Sequence, residues 1–316
     1  MTYNWTKYQS ISEMMLTRKY RFNKETLNYL FSIMKISPTS VVADIGCGMG
    51  HLTREVCDNT LSHGLIIGVD LDFSLLKSGR EILFGDSPPD DLILVQGNAC
   101  RLPIADNSLD AAYCITLLHA VSEPLHALLE MKRITKPGGY VSIIDGHCRI
   151  PQSGLAVETI PSYDFELEEE LNRVISKIDD AWVAEVYSKN SRSSNPAFYK
   201  DGKIDILEII RCASFDSLEI NGVFSKFPLC DNCLSKDQIV EYLELYFHYI
   251  DKLVKTEYAA VREVAGPNDP FSETDIEEFE RLLQEKKNHV FSNIEKVKAD
   301  IRNSGVLFMV YTLKKN

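Results

Sequence analysis

V-V-A-D-I-G-C-G-M-G, residues 41–50, packs three glycines into five positions directly behind an apolar run that carries one carboxylate, Asp44. Glycine is selected where φ is positive or where a ligand must touch main chain with no Cβ in the way. An apolar strand, a glycine turn and then a helix make up the layout of a nucleotide-type cofactor site. The helix is supplied by H-L-T-R-E-V, directly after Gly50. The stretch therefore predicts an α/β fold around a parallel sheet.

Outward from it, short apolar runs alternate with segments of helical periodicity, the pattern of strands covered by helices. Upstream, Asn23 reads as an N-cap, and Leu27, Leu30, Phe31 and Met34 form one apolar stripe. Downstream come a second strand L-I-I-G-V-D, a helix F-S-L-L-K-S-G-R-E-I, and strands D-L-I-L-V-Q and S-L-D-A-A-Y-C-I. The helix E-P-L-H-A-L-L-E-M-K-R-I follows, and K-P-G-G introduces a fifth strand, G-Y-V-S-I-I-D. Beyond Asp145 the periodicity predicts acidic helices over roughly 164–190, 235–258 and 273–303, a helix at 203–213, and strands at 215–224 and 305–313. Ile239, Tyr242, Leu243, Tyr246, Phe247, Ile250 and Leu253 share one face of the second acidic helix. Such a stripe is either core or, in part, the lining of a lid over a pocket.

Bulk properties narrow the function. The 316 residues fill one large or two modest domains, and the formal charge is −12, of which only −2 falls before residue 151. An acidic surface repels phosphate backbones and anionic membranes, which argues against nucleic acid and membrane as partners. Eight cysteines without a secretory leader read as reduced thiols of a cytoplasmic protein. Cys230 and Cys233 form a C-x-x-C pair, but no second pair completes a set of zinc ligands, so no metal is expected.

The glycines depart from the dinucleotide fingerprint, because His51 stands where G-x-G-x-x-G needs its last glycine. Asp70, at a strand end twenty residues past Gly50, suits a ribose. Taken together, D-I-G-C-G-M-G, I-I-G-V-D-L-D, V-Q-G-N-A-C-R-L-P-I-A-D-N-S-L-D-A-A-Y-C, L-L-H-A-V and E-M-K-R-I-T-K-P-G-G-Y-V-S-I-I-D resemble the class I S-adenosylmethionine-dependent methyltransferases. The branch they resemble is that of ubiquinone/menaquinone-type small-molecule enzymes. The likeness spans about residues 41–145.

That resemblance implies a Rossmann-like, seven-stranded, mostly parallel sheet with helices on both faces, its last strand antiparallel beside the fifth, plus a helical cap. It implies an arm or lid over 1–40, with Tyr3, Trp5, Tyr8, Met14 and Met15, and a cofactor core over 41–150 completed by 203–224 and 304–316. Helical insertions at 151–202 and 225–303 would form the substrate cap. The cofactor would be S-adenosyl-L-methionine, with S-adenosyl-L-homocysteine as product. Gly46, Cys47, Gly48 and Gly50 would line its methionine end, with Ile115 nearby. Asp44 would face its ammonium group or, equally well, accept hydrogen bonds that hold the loop. Asp70 would bind both ribose hydroxyls, Leu71 would pack on the adenine, and Asp72 reads as a helix cap. Asn98 stands where the family usually has aspartate, so either its amide or the Ala99 backbone would read the base.

The resemblance further implies in-line methyl transfer to an O, N or C nucleophile of a small organic acceptor. Where the nucleophile must lose a proton, His119 and His147, after the fourth and fifth strands, are the candidate bases. Tyr242, Tyr246 and Phe247 are the candidate acceptor contacts. Two other functions fit the same residues, a peptide or protein methyltransferase and a cofactor-binding regulator without turnover.

Overall fold

The computed structural model describes residues 11, 24–59, 63–85, 89–144, 160–187, 199–200, 203–226, 234–266, 269–300 and 305–316. Asn23, Asp145, His147, Cys230, Cys233 and the arm's aromatic and methionine residues lie outside these.

Val41–Ile45 forms β1, a fully paired central strand. It runs parallel to β2 (Leu65–Asp70) on one side and β4 (Leu109–Ile115) on the other. Outside these lie β3 (Leu92–Gln96) and β5 (Thr135–Ile144), both parallel, then β9 (Gly305–Lys314) and β8 (Ser217–Lys226). The order is β3-β2-β1-β4-β5-β9-β8, with β9 antiparallel to both neighbours, as the resemblance implies. A parallel sheet must be covered on both faces, and the alternation along β1 shows how. Ala43 and Ile45 point to one core, shared with α4 (Pro124–Ile134) and α6 (Ile206–Ala213), while Val42 points to the other, shared with α1 (Lys24–Ile33) and α2 (His51–Asn59). The predicted stripe Leu27, Leu30, Phe31 and Met34 is buried in this second core.

Three of the expected boundaries need correction. The helix predicted over 203–213 starts at Ile206, because the Asp205 side chain accepts the Glu208 N–H at 3.1 Å and caps it. Lys203–Ile204 instead forms β7, paired antiparallel with β6 (Tyr199–Lys200). The helix predicted over 273–303 is two helices, α8 (Glu273–Ser292) and α9 (Ile294–Asp300), broken at Asn293 with its φ of −129°. The helix predicted over 235–258 runs on, as α7 (Lys236–Ala265), opened by a Ser235–Gln238 capping box.

Helices α5 (Phe165–Trp182), α7 and α8 build a third core of their own. It contains Leu171, Val174 and Ile178 from α5, the Ile239–Val261 stripe of α7, and Phe279 and Leu282 from α8. Lys286 is wholly buried there and pairs with Glu168 at 2.6 Å. No helix among the described residues is long and apolar enough to cross a membrane.

Candidate active site

Polar groups converge at the carboxyl ends of β1 and β2. The chain leaves β1 through Gly46, Cys47 and Gly48, and the N–H groups of Gly46 and Cys47 both donate to the Val69 carbonyl, at 2.7 and 3.1 Å. Gly46 has φ +76°, which favours glycine, and a Cβ there would lie 2.7 Å from Leu117 Cδ1 and force that side chain to shift. Gly48 is also at positive φ, but a Cβ there would meet nothing within 4 Å. The main chain at Gly48 is thus bare toward open space.

Asp70, ending β2, ties this turn to the next. Its Oδ2 accepts the Gly48 N–H at 2.8 Å and its Oδ1 the Asp72 N–H at 2.9 Å. Each carboxylate oxygen keeps a lone pair for a further donor. Burial raises the Asp70 pKa, opposed by N–H groups of Asp72, Gly48 and Leu71. Asp72 caps α3 (Phe73–Gly79) by accepting the Ser74 N–H at 2.8 Å, as expected. Leu71, between the two aspartates, leaves 42% of its surface exposed, an apolar shelf beside a carboxylate.

Asp44 lies deeper, with 3% of its surface exposed. The Thr53 hydroxyl donates to its Oδ2 at 2.7 Å from the first turns of α2. Burial pushes the Asp44 pKa up to about 7, the Thr53 and Tyr113 hydroxyls pull it back, and Asp70 adds repulsion. The buried Tyr113 hydroxyl lies close enough to couple to this carboxylate, yet it has no partner in hydrogen-bonding geometry. Burial, then Asp44 and Asp70, raise the Cys47 thiol well above its ordinary value. Cys47 is therefore a neutral thiol in the turn.

The remaining candidates divide. Asn98 is exposed, and its Oδ1 already accepts the Cys100 N–H at 2.9 Å. Ala99 beside it and Ile115 at the end of β4 are half-buried. His119 sits in a single turn, Leu118–Ala120, which Leu117 separates from Thr116 with its φ of +50°. Strand β7 packs against this turn. Tyr242, Tyr246 and Phe247 are buried in the third core. Thr53, Tyr113 and Leu117 are the residues that reading the sequence missed. Among the described residues no cluster of His, Cys, Asp and Glu has the makings of a metal site.

Residues 43–143 match the family described as "Methyltransferase domain". The matched segment coincides with the residues that carry the motifs. Among curated proteins, the ubiquinone/menaquinone biosynthesis C-methyltransferase UbiE of Legionella pneumophila (strain Corby) is 33% identical over 120 residues, 37% of this chain and 47% of that protein. The UbiE of Marinomonas sp. (strain MWYL1) is 29% identical over 179 residues, 56% of this chain and 68% of that protein. The chain spans about half the length of the Legionella relatives it matches. A solved structure from Anabaena variabilis, ascribed to a methyltransferase of an antibiotic biosynthesis pathway, covers 94% of this chain and 99% of its own at a TM-score of 0.55 and 15% identity. That likeness extends the shared fold beyond the matched segment.

Proposed function

We propose that the protein is an S-adenosylmethionine-dependent methyltransferase acting on a small organic molecule. The observation that carries this reading is the pair of carboxylates spaced along the glycine turn. Asp44 is buried at its start, and Asp70 bonds to the Gly48 N–H at 2.8 Å with lone pairs to spare. The UbiE likeness supports methyl transfer to a small acceptor.

The residues fit the cofactor. Asp70 would accept both ribose hydroxyls and Leu71 would cover one face of the adenine. Gly46 and Gly48 would let main chain approach the methionine end, and Asp44 would meet its ammonium group. The second lone pair of Asn98 Oδ1 would accept the adenine amino group, sharing that oxygen with the Cys100 N–H. When bound, S-adenosylmethionine supplies an electrophilic methyl group on a sulfonium centre, open to in-line attack by an O, N or C nucleophile.

The protein's own tasks are alignment and exclusion of water. His119, just past the carboxyl end of β4, and His147, after β5 in the sequence, are the groups that would take a proton from an acceptor. The separate core of α5, α7 and α8 would form the helical cap, and a capped pocket suits an enclosed small acceptor better than a polymer. Free thiols at Cys47, Cys57, Cys100, Cys114 and Cys212 support a location in the reducing cytoplasm. The experiment is calorimetric titration of the purified chain with S-adenosylhomocysteine, followed by single turnovers of His119→Ala and His147→Ala with cofactor bound once an acceptor is identified. Saturable one-to-one binding upholds the reading, and its absence overturns it. Loss of about 10²–10⁴ in rate identifies the base, and full rates in both variants exclude them.

A further inference from the structure

We propose that Tyr113 is a positioning residue for Asp44: its hydroxyl donates a hydrogen bond to the carboxylate once that carboxylate is charged against the ammonium group of a bound S-adenosyl ligand. The proposal rests on the cofactor reading above. It begins from register, since Asp44 on β1 pairs directly with Tyr113 on β4 and neighbours in register present their side chains to the same face. Both are almost completely buried.

Among the described residues, the groups around the Asp44 carboxylate are few. The Thr53 hydroxyl, from α2, already holds Oδ2. Asp70, from β2, repels the charge, and the Cys47 thiol of the turn is directed to the Gly48 carbonyl at 3.8 Å. Tyr113, from β4, is the remaining donor coupled to the site among the described residues. A buried hydroxyl left unsatisfied costs about 1–3 kcal/mol, so phenylalanine would pack here at lower cost. The hydroxyl calls for a state of the protein in which it is used.

That state follows from the carboxylate. Before ligand binds, burial keeps Asp44 mostly neutral below about pH 7, and in that form it offers the Tyr113 hydroxyl no charged acceptor. An ammonium group arriving at Asp44 stabilises the ionised form, to which hydrogen bonds are strongest. The next residue in the row supplies a control. Ser142 on β5 pairs in register with Tyr113, and its hydroxyl is likewise buried without a partner, but it lies one strand farther from Asp44.

The test is calorimetric titration of the full-length wild type, Tyr113→Phe and Ser142→Ala with S-adenosylhomocysteine from pH 6 to pH 8.5. Losing a hydrogen bond to the charged form raises the Asp44 pKa by about one unit. Tyr113→Phe should therefore bind about tenfold more weakly at pH 6 and under about twofold more weakly at pH 8.5. Ser142→Ala should follow the wild type throughout, and the melting temperature of Tyr113→Phe should not fall. Wild-type affinity in Tyr113→Phe at every pH overturns the proposal. An equal loss at every pH does so too, because a change of packing alone acts that way. A wild type that binds no S-adenosylhomocysteine at any pH instead removes the cofactor reading on which the proposal stands.

Discussion

Gly79→Ala should destabilise this protein, although the same change in most helices stabilises it. Gly79 has helical φ and ψ and joins α3 to the wider helical turn Arg80–Phe84, so propensity alone predicts a gain of about 0.5–1 kcal/mol. Against this, a Cβ at Gly79 would lie 2.0 Å from the Met49 carbonyl oxygen and 2.7 Å from its carbon. These are backbone atoms and no rotamer relieves the clash, so α3 and the glycine turn must separate by more than an ångström. Overpacking of this kind costs about 1–3 kcal/mol, and a backbone contact belongs at the upper end. The net loss is about 2 kcal/mol, a fall in Tm of roughly 4–8 °C. Separation also pulls the turn away from Asp70, whose bond to the Gly48 N–H is 2.8 Å, so affinity for S-adenosylhomocysteine should drop with stability. Differential scanning calorimetry, with and without ligand, measures both. A Tm that rises would refute the reasoning, because helix propensity would then outweigh the packing of α3 on the turn.

Substitutions elsewhere in the site and in the helical core have their own expected outcomes. Asp70→Ala should weaken S-adenosylhomocysteine binding by about 1–3 kcal/mol in a titration, since it removes the acceptor of the Gly48 N–H as well as that of the ribose. Tyr246→Ala, wholly buried in the helical core, should cost about 3–5 kcal/mol of stability in denaturant unfolding while cofactor affinity holds. Unchanged stability with altered acceptor use would show that the ring faces a pocket. Glu257 is buried on α7, where burial and the nearby Asp179 push its carboxyl up to about 8. A raised carboxylate pKa makes the folded state bind more protons than the unfolded one, so stability falls as pH rises from about 4.5 to 8. Glu257→Gln should therefore match the wild type in Tm at pH 5 and exceed it at pH 9. Equal melting curves at both values contradict this.

The parts of the fold that were legible in the sequence are those set by local physics. Apolar runs such as L-I-I-G-V-D become strands because their side chains are buried on both faces, and Asp72 caps α3 through a contact two residues long. The break at Asn293 and the start of α6 at Asp205 are also local, but apolar periodicity continues across them. The cue for Asp205 was its spacing to Glu208, a capping pattern rather than a hydrophobic one. Asp44, Gly46, Gly48 and Asp70 could be picked out because one short loop carries them or a strand end faces it. Thr53 and Tyr113 could not. Their place beside Asp44 depends on the rotation of α2 and on the β1–β4 register across 69 residues, neither of which a single sequence states. Tyr246 shows the converse. Its helical stripe was plain, but whether a buried stripe meets other helices or a ligand is decided by what packs against it, here α5 and α8.

The central claim is that the turn between β1 and α2, with Asp44 below it and Asp70 beside it, is a site for S-adenosylmethionine. A crystal structure of the chain grown with saturating S-adenosylhomocysteine tests it most directly. The expected result is one ligand, with its ribose hydroxyls on Asp70, its adenine against Leu71 and its amino group toward Asp44. A ligand bound elsewhere or in the reverse direction, or crystals that take up none, would contradict it.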